Sequence, residues 1–294
     1  MSLTTIVSYP ERGEGGKNSY RGNCSPKLIE DLVKHFQPTK VFDPMVGSGT
    51  TKDVCKKLDI PCDVLDLNPV FGGWDAARDE IPGVYDMVFW HPPYSEIIKY
   101  SGNMWGKPDP RDLSQIPLSE YPRFIDKLNL IQFRLYQSLT KGGRIAILVG
   151  DVKKQGRLYS IQRDIDWLGQ PEQIIIKAQH NCFSDRKDYG GKFIPIVHEY
   201  LLVFRKTGGY IIPLRQTILK ECDIRTYKNC SWRTAVRTAL EALGGQATLR
   251  ELYKELEAFV MSKSHKTPDA KIRETIYRYP EFEKIREATY RLAA

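Results

Sequence analysis

A glycine-rich turn at residues 44–50 is the first segment whose residue types could bind a ligand. It follows the apolar pair Val41–Phe42, which ends in the acid Asp43, and the next apolar run ends in a second acid, Asp66. In an α/β sheet, ligands bind beyond the carboxyl ends of strands, where glycines allow a close approach and helix N-terminal N–H groups face outward. A Gly-x-Gly turn alone is a weak signal, because a tight turn without a ligand has the same sequence.

The two acids make the chemistry of the expected ligand more specific. Asp43 stands where a dinucleotide fingerprint would place its first glycine, so this position favours a cationic group over a pyrophosphate. Asp66 comes about one βα unit later, where an acid can accept hydrogen bonds from ribose hydroxyls. An acid for an amino group, glycines for close approach and an acid for a ribose suit S-adenosylmethionine better than NAD.

Two segments resemble the motifs of the DNA methyltransferases that modify exocyclic amino groups, the N6-adenine and N4-cytosine family. The segment similar to their cofactor motif is Phe42-Asp43-Pro44-x-x-Gly47-Ser48-Gly49-Thr50. The segment similar to their catalytic Asp/Asn/Ser-Pro-Pro-Tyr/Phe/Trp motif is His91-Pro92-Pro93-Tyr94. The pair in this order is far more specific than either motif alone, and the resemblance covers roughly residues 17–206.

The resemblance implies an α/β protein with a Rossmann-like S-adenosylmethionine methyltransferase fold, a mostly parallel sheet and DNA as its partner. It implies that the cofactor-binding residues are Asp43, Pro44, Gly47, Ser48, Gly49, Thr50 and Asp66. In this family a helix before the cofactor strand starts at the methionine end of the cofactor, which adds Ser25 as a candidate beside Asn23 and Pro26. It implies that the catalytic residues are His91, Pro92, Pro93 and Tyr94.

The implied reaction moves a methyl group from a sulfonium to an exocyclic amino nitrogen, whose lone pair is delocalised into the base. The site must therefore accept hydrogen bonds from both amino protons and aim the nitrogen at the methyl group. Two adjacent prolines stiffen the backbone, so the Pro92 carbonyl is one expected acceptor and the side chain at position 91 is the other. Tyr94 is expected to stack on the base, which must be flipped out of the duplex.

His91 departs from the pattern of the resembled motif. A neutral imidazole has one acceptor nitrogen and can replace a carboxamide oxygen, whereas a protonated imidazole cannot. The lead hypothesis is a DNA amino-methyltransferase. One alternative is a catalytically silent methyltransferase-fold subunit that binds nucleic acid or a protein, and another is an RNA amino-methyltransferase.

The target base is left open between adenine and cytosine. Tyrosine after the two prolines favours adenine N6, while the Gly-Ser-Gly-Thr turn also occurs in cytosine N4 enzymes. The sequence shows no nuclease motif, so in a restriction-modification system the nuclease would be a separate chain.

The elements that must position these motifs can be assigned from periodicity. A helix is predicted from Ser25-Pro26, as N-cap and first helical residue, to Pro38. A second begins near Thr50, and a third covers 122–139, ended by residues 141–143. Further strands are predicted at 85–90, directly before the second motif, and at 144–149, 174–178 and 197–204, which are mostly apolar runs.

Five segments outside the predicted helices and strands carry further candidates, beginning with the polar, glycine-rich arm at 1–23. The stretch 95–122 contains Tyr100, Asn103, Trp105, Lys107 and Arg111 and is predicted to be a binding loop, given its length and its aromatic and cationic content. The basic segment at 150–157 is predicted as a loop at the same edge of the sheet. The polar and charged segment at 180–192 is either a loop able to meet nucleic acid or a solvated turn. In the connector 71–82, Asp79 is a candidate contact for the cofactor adenine.

The C-terminal part differs in character. Helices are predicted over 231–243, from a capping box at Thr248–Glu251, and over 268–279, followed by a hairpin at 282–292. This order resembles a winged helix and predicts domains at 1–215 and 231–294 with a linker at 216–230. From residue 220 on, 15 Lys and Arg against 11 Asp and Glu give a charge of +4, and Lys271, Arg273 and Arg278 would face a groove. The alternative is a module for a protein partner or a homodimer.

Bulk properties restrict the class of protein. The 294-residue chain has a net charge of +8, which makes a polyanionic partner plausible. Its six cysteines contain no Cys-x-x-Cys pair, which argues for reduced thiols and against a zinc site. The N-terminus lacks a signal-peptide h-region and no apolar run approaches a membrane span, so the sequence predicts a cytoplasmic protein without a metal or membrane partner.

Overall fold

The computed structural model describes residues 3–180, 194–208, 212–223 and 230–293. The chain separates into two compact units, Met1–Thr217 and Ile218–Ala294. The division falls at the start of the segment 216–230 that the sequence predicts to be a linker. The predicted loop at 180–192 lies outside the described residues, apart from His180.

The first unit is built from strands with four helices between them, counted over the described residues. Its strands are β1 (Ile6–Ser8), β2 (Val41–Asp43), β3 (Cys62–Val64), β4 (Tyr85–Trp90), β5 (Leu139–Val149), β6 (Val152–Lys154), β7 (Arg157–Tyr159), β8 (Trp167–Leu168), β9 (Gln170–Ala178), β10 (His198–Arg205) and β11 (Leu214–Arg215). Its helices are α1 (Pro26–Phe36), α2 (Thr50–Lys57), α3 (Tyr121–Gln137) and α4 (Ile161–Asp164). Single-turn 3₁₀ helices cover Pro69–Phe71, Ser95–Ile97, Leu113–Gln115 and Leu118–Glu120.

Seven of these strands form the central sheet of the described chain, in the order β1-β9-β10-β5-β4-β2-β3. Strand β10 runs antiparallel to both of its neighbours, and the other pairs are parallel. The predicted α/β class with a mostly parallel sheet is therefore confirmed. From β2 the chain moves outward to β3 and then returns to β4 on the other side of β2, so the strand order reverses there. Ligands of open α/β sheets bind at such a switch point.

Side chains from the middle strands enter two apolar layers, one on each face of the sheet. On β4, Met87 and Phe89 pack with buried residues of α1 and α2, whereas Val88 and Trp90 pack with those of α3. On β5, residues 145–149 alternate between the two layers in the same way. Helices on both faces explain why these strands read as continuous apolar runs.

Several local predictions are corrected by the backbone. Residues 141–143 do not end α3 but belong to β5, because Gly142 and Gly143 exchange backbone hydrogen bonds with Lys206 beside β10. Ile6–Ser8, predicted as part of an arm, forms β1 because it pairs parallel with β9. The basic segment at 150–157 is largely a hairpin, β6 with β7.

The role of Ser25 is also corrected. It is the N-cap residue of α1 by position, but its side chain makes no capping hydrogen bond. The hydroxyl Oγ instead donates to the Arg12 carbonyl at 2.9 Å, which ties the start of α1 to the N-terminal segment.

The second unit contains four helices and a three-stranded sheet among its described residues. They are α5 (Trp232–Ala242), β12 (Gln246–Thr248), α6 (Leu249–Glu255), α7 (Glu257–Lys263), α8 (Pro268–Arg278), β13 (Phe282–Arg286) and β14 (Thr289–Leu292). The capping box at Thr248–Glu251, the helices before and after it and the final hairpin are confirmed. The sequence did not predict β12, which pairs with β14, or α7.

The second unit has an apolar core of its own, formed by α5, α6, α7, α8 and the hairpin. The described residues include no helix with the combined length and apolarity that a membrane crossing requires.

Candidate active site

A cavity opens beyond the carboxyl ends of β2, β3 and β4, at the switch point of the sheet. The sequence-predicted residues that line it are Asp43, Pro44, Gly47, Ser48, Thr50, Asp66, His91 and Pro93. Asn23 and Cys24 line it as well, from the segment before α1. Gly49 is the N-cap of α2 behind the turn, while Ser25, Pro92 and Tyr94 are not among the lining residues.

The glycine-rich turn depends on glycine at two positions. Gly47 has φ of 56° and Gly49 has φ of 91°, a region that side chains disfavour. A Cβ atom at Gly47 would also lie 3.1 Å from the ring of Tyr20. The Gly47 N–H donates to Asp66 Oδ2 at 2.9 Å, so the second acid holds the turn in place.

Asp43 is buried at the base of the cavity. Its carboxylate accepts from the Met45 N–H at 3.0 Å and from the Thr51 hydroxyl of α2. Burial raises the pKa of Asp43 to about 7, although the hydrogen bonds from Thr51 and Met45 act in the opposite direction. The carboxyl therefore carries a proton for part of the time at neutral pH, and a cation placed beside it would favour its ionised form.

Asp66 lies in a tight turn two residues after the end of β3, whereas the sequence predicted it as the end of the strand. Its Oδ1 accepts from the Asn68 N–H at 2.8 Å, and its Oδ2 faces the glycine turn. Burial raises the pKa of Asp66, opposed by the hydrogen bonds from Asn68 and Gly47. Each carboxylate oxygen has two lone pairs, so Asp66 retains acceptor capacity toward the cavity.

The N-terminal segment covers the glycine-rich turn from outside. The Thr50 hydroxyl donates to Asn23 Oδ1 at 2.5 Å, and the Gly16 N–H donates to Asp53 on α2 at 2.8 Å. Tyr20 from this segment stacks on Tyr100, with ring centroids 5.8 Å apart, and both rings line the cavity. Sequence reasoning missed Tyr20, because the contact joins two irregular segments that are distant in the chain.

The long loop 95–122 is organised by one buried acid, Asp112. Its carboxylate accepts from Ser101, through both the N–H and the hydroxyl, and likewise from both groups of Ser114. Three of the five residues singled out in this loop line the cavity: Tyr100, Trp105 and Arg111. Buried Nε1 of Trp105 has no hydrogen-bond partner among the described residues, so a donor-only group is available to a ligand.

Asp79 is not one of the residues that line the cavity. It accepts a hydrogen bond from the Asp75 N–H at 2.7 Å. This bond closes the turn that brings Asp75, Ala76 and Ala77 to the cavity wall. The connector 71–82 therefore contributes Asp75, Ala76 and Ala77 to the site, and not the predicted Asp79.

His91 belongs to a chain of polar groups that continues into the sheet. Its Nε2 lies 3.0 Å from the Tyr94 hydroxyl, which donates to Glu199 Oε1 at 2.7 Å. Glu199 Oε2 in turn accepts from Lys177 Nζ at 2.7 Å. Lys177 on β9 and Glu199 on β10 are directly opposite each other in the antiparallel pair.

The ionisation states of Glu199 and His91 follow from their burial and from the charges beside them. Burial raises the pKa of Glu199, but the charge of Lys177, the electrostatic influence of His91 and the hydrogen bonds from Lys177 and Tyr94 together outweigh it and bring the pKa to about 2. Burial lowers the pKa of His91, and this effect exceeds the opposing influence of Glu199. At neutral pH the site therefore contains an ionised Glu199 and an uncharged His91.

Together these groups provide two acids, a glycine turn and an uncharged imidazole around one cavity. Such a site suits a ligand with a cationic group and hydroxyl groups, held next to a second ligand that donates a hydrogen bond. Within the described parts of the chain, no cluster of three or more His, Cys, Asp or Glu side chains is arranged to hold a metal ion.

Comparisons with known proteins give weak similarities only. No family model and no curated protein matches the chain. TrmN from Thermus thermophilus is 16% identical over 63% of this chain and 50% of its own, with a TM-score of 0.39. A candidate DNA modification methylase from the same organism, in complex with S-adenosyl-L-methionine, is 25% identical over 47% of this chain and 56% of its own, with a TM-score of 0.28.

A third similar structure is the N-methyltransferase NodS from Bradyrhizobium japonicum WM9. It is 9% identical over 62% of this chain and 94% of its own, with a TM-score of 0.34. This chain spans about half the length of the two Thermus thermophilus proteins.

Proposed function

We propose that the chain is an S-adenosylmethionine-dependent methyltransferase that modifies an exocyclic amino group of a nucleic-acid base. The proposed substrate is DNA, with adenine N6 favoured over cytosine N4. The observation that carries this proposal is that Asp43 and His91, the acid of the cofactor motif and the first residue of the catalytic motif, line one cavity at the switch point of the sheet.

The residues of the cavity fit the proposed cofactor. Burial raises the pKa of Asp43, so a cationic amino group placed beside it would stabilise the ionised carboxylate. Asp66 has acceptor capacity for ribose hydroxyls, and a side chain at Gly47 would fill the approach to the turn. When bound, S-adenosylmethionine would supply a methyl group on a sulfonium, which is activated for transfer to a nitrogen.

The catalytic residues would act on the target base by positioning. His91 would offer an acceptor for one amino proton. The resembled motif assigns the second acceptor to the Pro92 carbonyl, in a backbone stiffened by Pro93, although Pro92 is not among the residues that line the cavity. Tyr94 was expected to stack on the base, but its hydroxyl hydrogen-bonds with His91 and Glu199. We therefore assign Tyr94 to the support of His91 in addition to any contact that its ring makes with the base.

A methylation assay tests this proposal directly. The purified chain should transfer tritium from methyl-labelled S-adenosylmethionine to DNA of mixed sequence, and nucleoside analysis should identify N6-methyladenine. Parallel reactions with RNA and with cytosine-only DNA separate the RNA and N4-cytosine alternatives. Cofactor binding without transfer to any nucleic acid would favour the silent-subunit alternative, and absence of cofactor binding would refute the assignment.

We further propose that the second unit is a winged helix that contacts nucleic acid. Its order of helix, strand, helices and two strands, with β14 central in the sheet, supports that assignment. The basic residues predicted to face a groove make surface contacts only. Lys271 and Arg278 pair with Glu274, and Arg273 donates to Tyr253. Such exposed pairs are weak and can be exchanged for phosphate contacts.

Removal of the second unit should change how DNA binding depends on salt. A chain ending at Thr217 keeps every residue of the cavity and the two apolar layers of the sheet, so S-adenosylmethionine affinity should be unchanged. The slope of log K against log salt should become less steep by about 0.9 for each phosphate contact that is lost. Binding isotherms at four salt concentrations measure this slope. An unchanged slope would indicate a protein partner or a homodimer contact for this unit.

A further inference from the structure

The series of hydrogen-bonded polar side chains behind His91 is buried and contains charged groups. Burial of charged groups costs free energy unless each of them is paired. Side-chain exposure is 14% for His91, 8% for Glu199 and 11% for Lys177. The contacts form one unbranched series from Lys177 through Glu199 and Tyr94 to His91. Lys177 and Glu199 have no other role in the proposed reaction, and neither does the hydroxyl of Tyr94.

The direction of each hydrogen bond in this series can be derived. Glu199 is ionised and can only accept, so Lys177 and Tyr94 both donate to it. Tyr94 has a single hydroxyl proton, and this proton is used in the bond to Glu199. The Tyr94 oxygen can therefore only accept from His91, which requires a proton on Nε2. An uncharged imidazole with a proton on Nε2 has its lone pair on Nδ1.

The charged groups around His91 favour its uncharged form. Lys177 neutralises Glu199, the one acid within 4 Å of the ring among the described residues. Cys24, before α1, is electrostatically close to Lys177, Asp43 and Glu199, and burial raises the pKa of its thiol to about 12. The thiol is therefore uncharged at neutral pH, as is the Tyr94 hydroxyl, whose pKa burial also raises. His91 Nδ1 takes part in no hydrogen bond among the described residues. It is also not one of the buried polar atoms that lack a partner, so it remains accessible from outside the protein.

We propose that Lys177, Glu199 and Tyr94 are positioning residues that fix the proton of His91 on Nε2 and thereby present Nδ1 as the acceptor for the substrate amino group. This inference rests on the proposed function, because it specifies how His91 serves the amino-methyl transfer. A carboxamide at position 91 would need no such support, since its oxygen is always an acceptor. A histidine needs it, because the other tautomer would present an N–H donor to the amino group.

The tautomer can be measured without any activity. Nitrogen-15 NMR of histidine-labelled protein at pH 7.5 distinguishes the two tautomers, and His91→Asn identifies the His91 signals among the five histidines of the chain. The wild type should show His91 with its proton on Nε2. Tyr94→Phe and Glu199→Gln should each convert it to a mixture of tautomers.

Tyr9→Phe is the matched control for the loss of a tyrosine hydroxyl. The Tyr9 hydroxyl also donates to a carboxylate, Asp31, at 2.7 Å, but on the α1 face of the sheet and outside this series. Tyr9→Phe should leave the His91 tautomer and kcat unchanged. A proton on Nδ1 in the wild type would overturn the inference, as would an unchanged tautomer in both Tyr94→Phe and Glu199→Gln.

A double-mutant cycle tests the link to catalysis. Tyr94→Phe should lower kcat by about tenfold in the otherwise wild-type chain, with little change in KM for S-adenosylmethionine, because His91 would then present an N–H donor to the amino group in most molecules. In the His91→Asn background the same substitution should change kcat by less than about twofold, since no tautomer is involved. Equal losses in both backgrounds would overturn the positioning role. If the wild type has the Nε2 proton but methylates no nucleic acid, the proposed function fails, and with it the acceptor role, while the proton assignment stands.

Discussion

Asp43→Asn should abolish S-adenosylmethionine binding while the chain remains folded. Asparagine has the shape of the aspartate and can accept from the Met45 N–H while donating to the Thr51 hydroxyl, so the base of the cavity is preserved. It cannot balance a buried cationic amino group. Removing one partner of a buried ion pair costs about 3–5 kcal/mol, which corresponds to more than a hundredfold in Kd. Titration calorimetry measures this loss, and an unchanged Kd would refute the role of the glycine-rich turn.

The same residue predicts how binding depends on pH. With a pKa raised to about 7, Asp43 must lose its proton when a cation binds beside it, so affinity should weaken as the pH falls below 7. Calorimetry in buffers of different ionisation enthalpy should detect more proton release from Asp43 on binding at pH 6.5 than at pH 8.5, where the carboxyl is already ionised in the free protein. Without ligand, the folded chain holds this proton more tightly than the unfolded chain. The group therefore lowers stability as pH rises from about 4 to 7. Asp43→Asn should accordingly not lower Tm at pH 8.

His91→Ala should lower kcat by about a hundredfold or more and leave S-adenosylmethionine affinity unchanged. The alanine removes the acceptor that orients the amino group, and positioning of this kind accounts for losses of that order. His91→Asn should stay within about tenfold of the wild type, because a carboxamide oxygen replaces the imidazole nitrogen. Single-turnover methylation assays on DNA measure these rates, with cofactor affinity determined separately for each variant.

The pH profile distinguishes a working histidine from a spectator. His91 accepts only when uncharged, so activity should fall as pH drops through its pKa. Because burial lowers the pKa of His91, this acid limb should lie below the ordinary histidine value of about 6.5. At saturating S-adenosylmethionine, where protonation of Asp43 no longer limits cofactor binding, this limb should be missing in His91→Asn. Equal rates for wild type and His91→Ala would contradict a catalytic role.

The sequence predicted the elements whose residues carry strong local signals. Apolar runs marked β4, β5 and β10, and a proline at the first helical position marked the start of α1. Predictions failed where backbone hydrogen bonds to residues distant in the sequence determine the structure. Residues 141–143 look like a helix end, yet they continue β5 because Lys206 lies beside them. Edge strand β1 has three residues and depends on its pairing with β9.

The candidate site shows the same division. Asp43 ends β2, the glycine turn follows it, and Asp66 lies two residues after β3, so local sequence was sufficient to predict them. Tyr20 and Asp112 act through contacts between irregular segments, which no periodicity reveals. Lys177 and Glu199 had one signal, a lone charge within an apolar run, but their pairing depends on the register of β9 against β10.

The Lys177–Glu199 ion pair also affects how β9 and β10 align during folding, because it forms only in the observed register. Residues on opposite strands alternate between the two faces, so a slip of one residue would turn one charge to the wrong face and leave both without a partner. An uncompensated buried charge costs several kcal/mol, which makes every neighbouring alignment of the two strands unfavourable. The ion pair therefore favours the observed alignment of β10 on β9, at Glu199 and Lys177, over a shift by one residue. The groups that orient His91 thus also help to select the strand pairing on which the site depends.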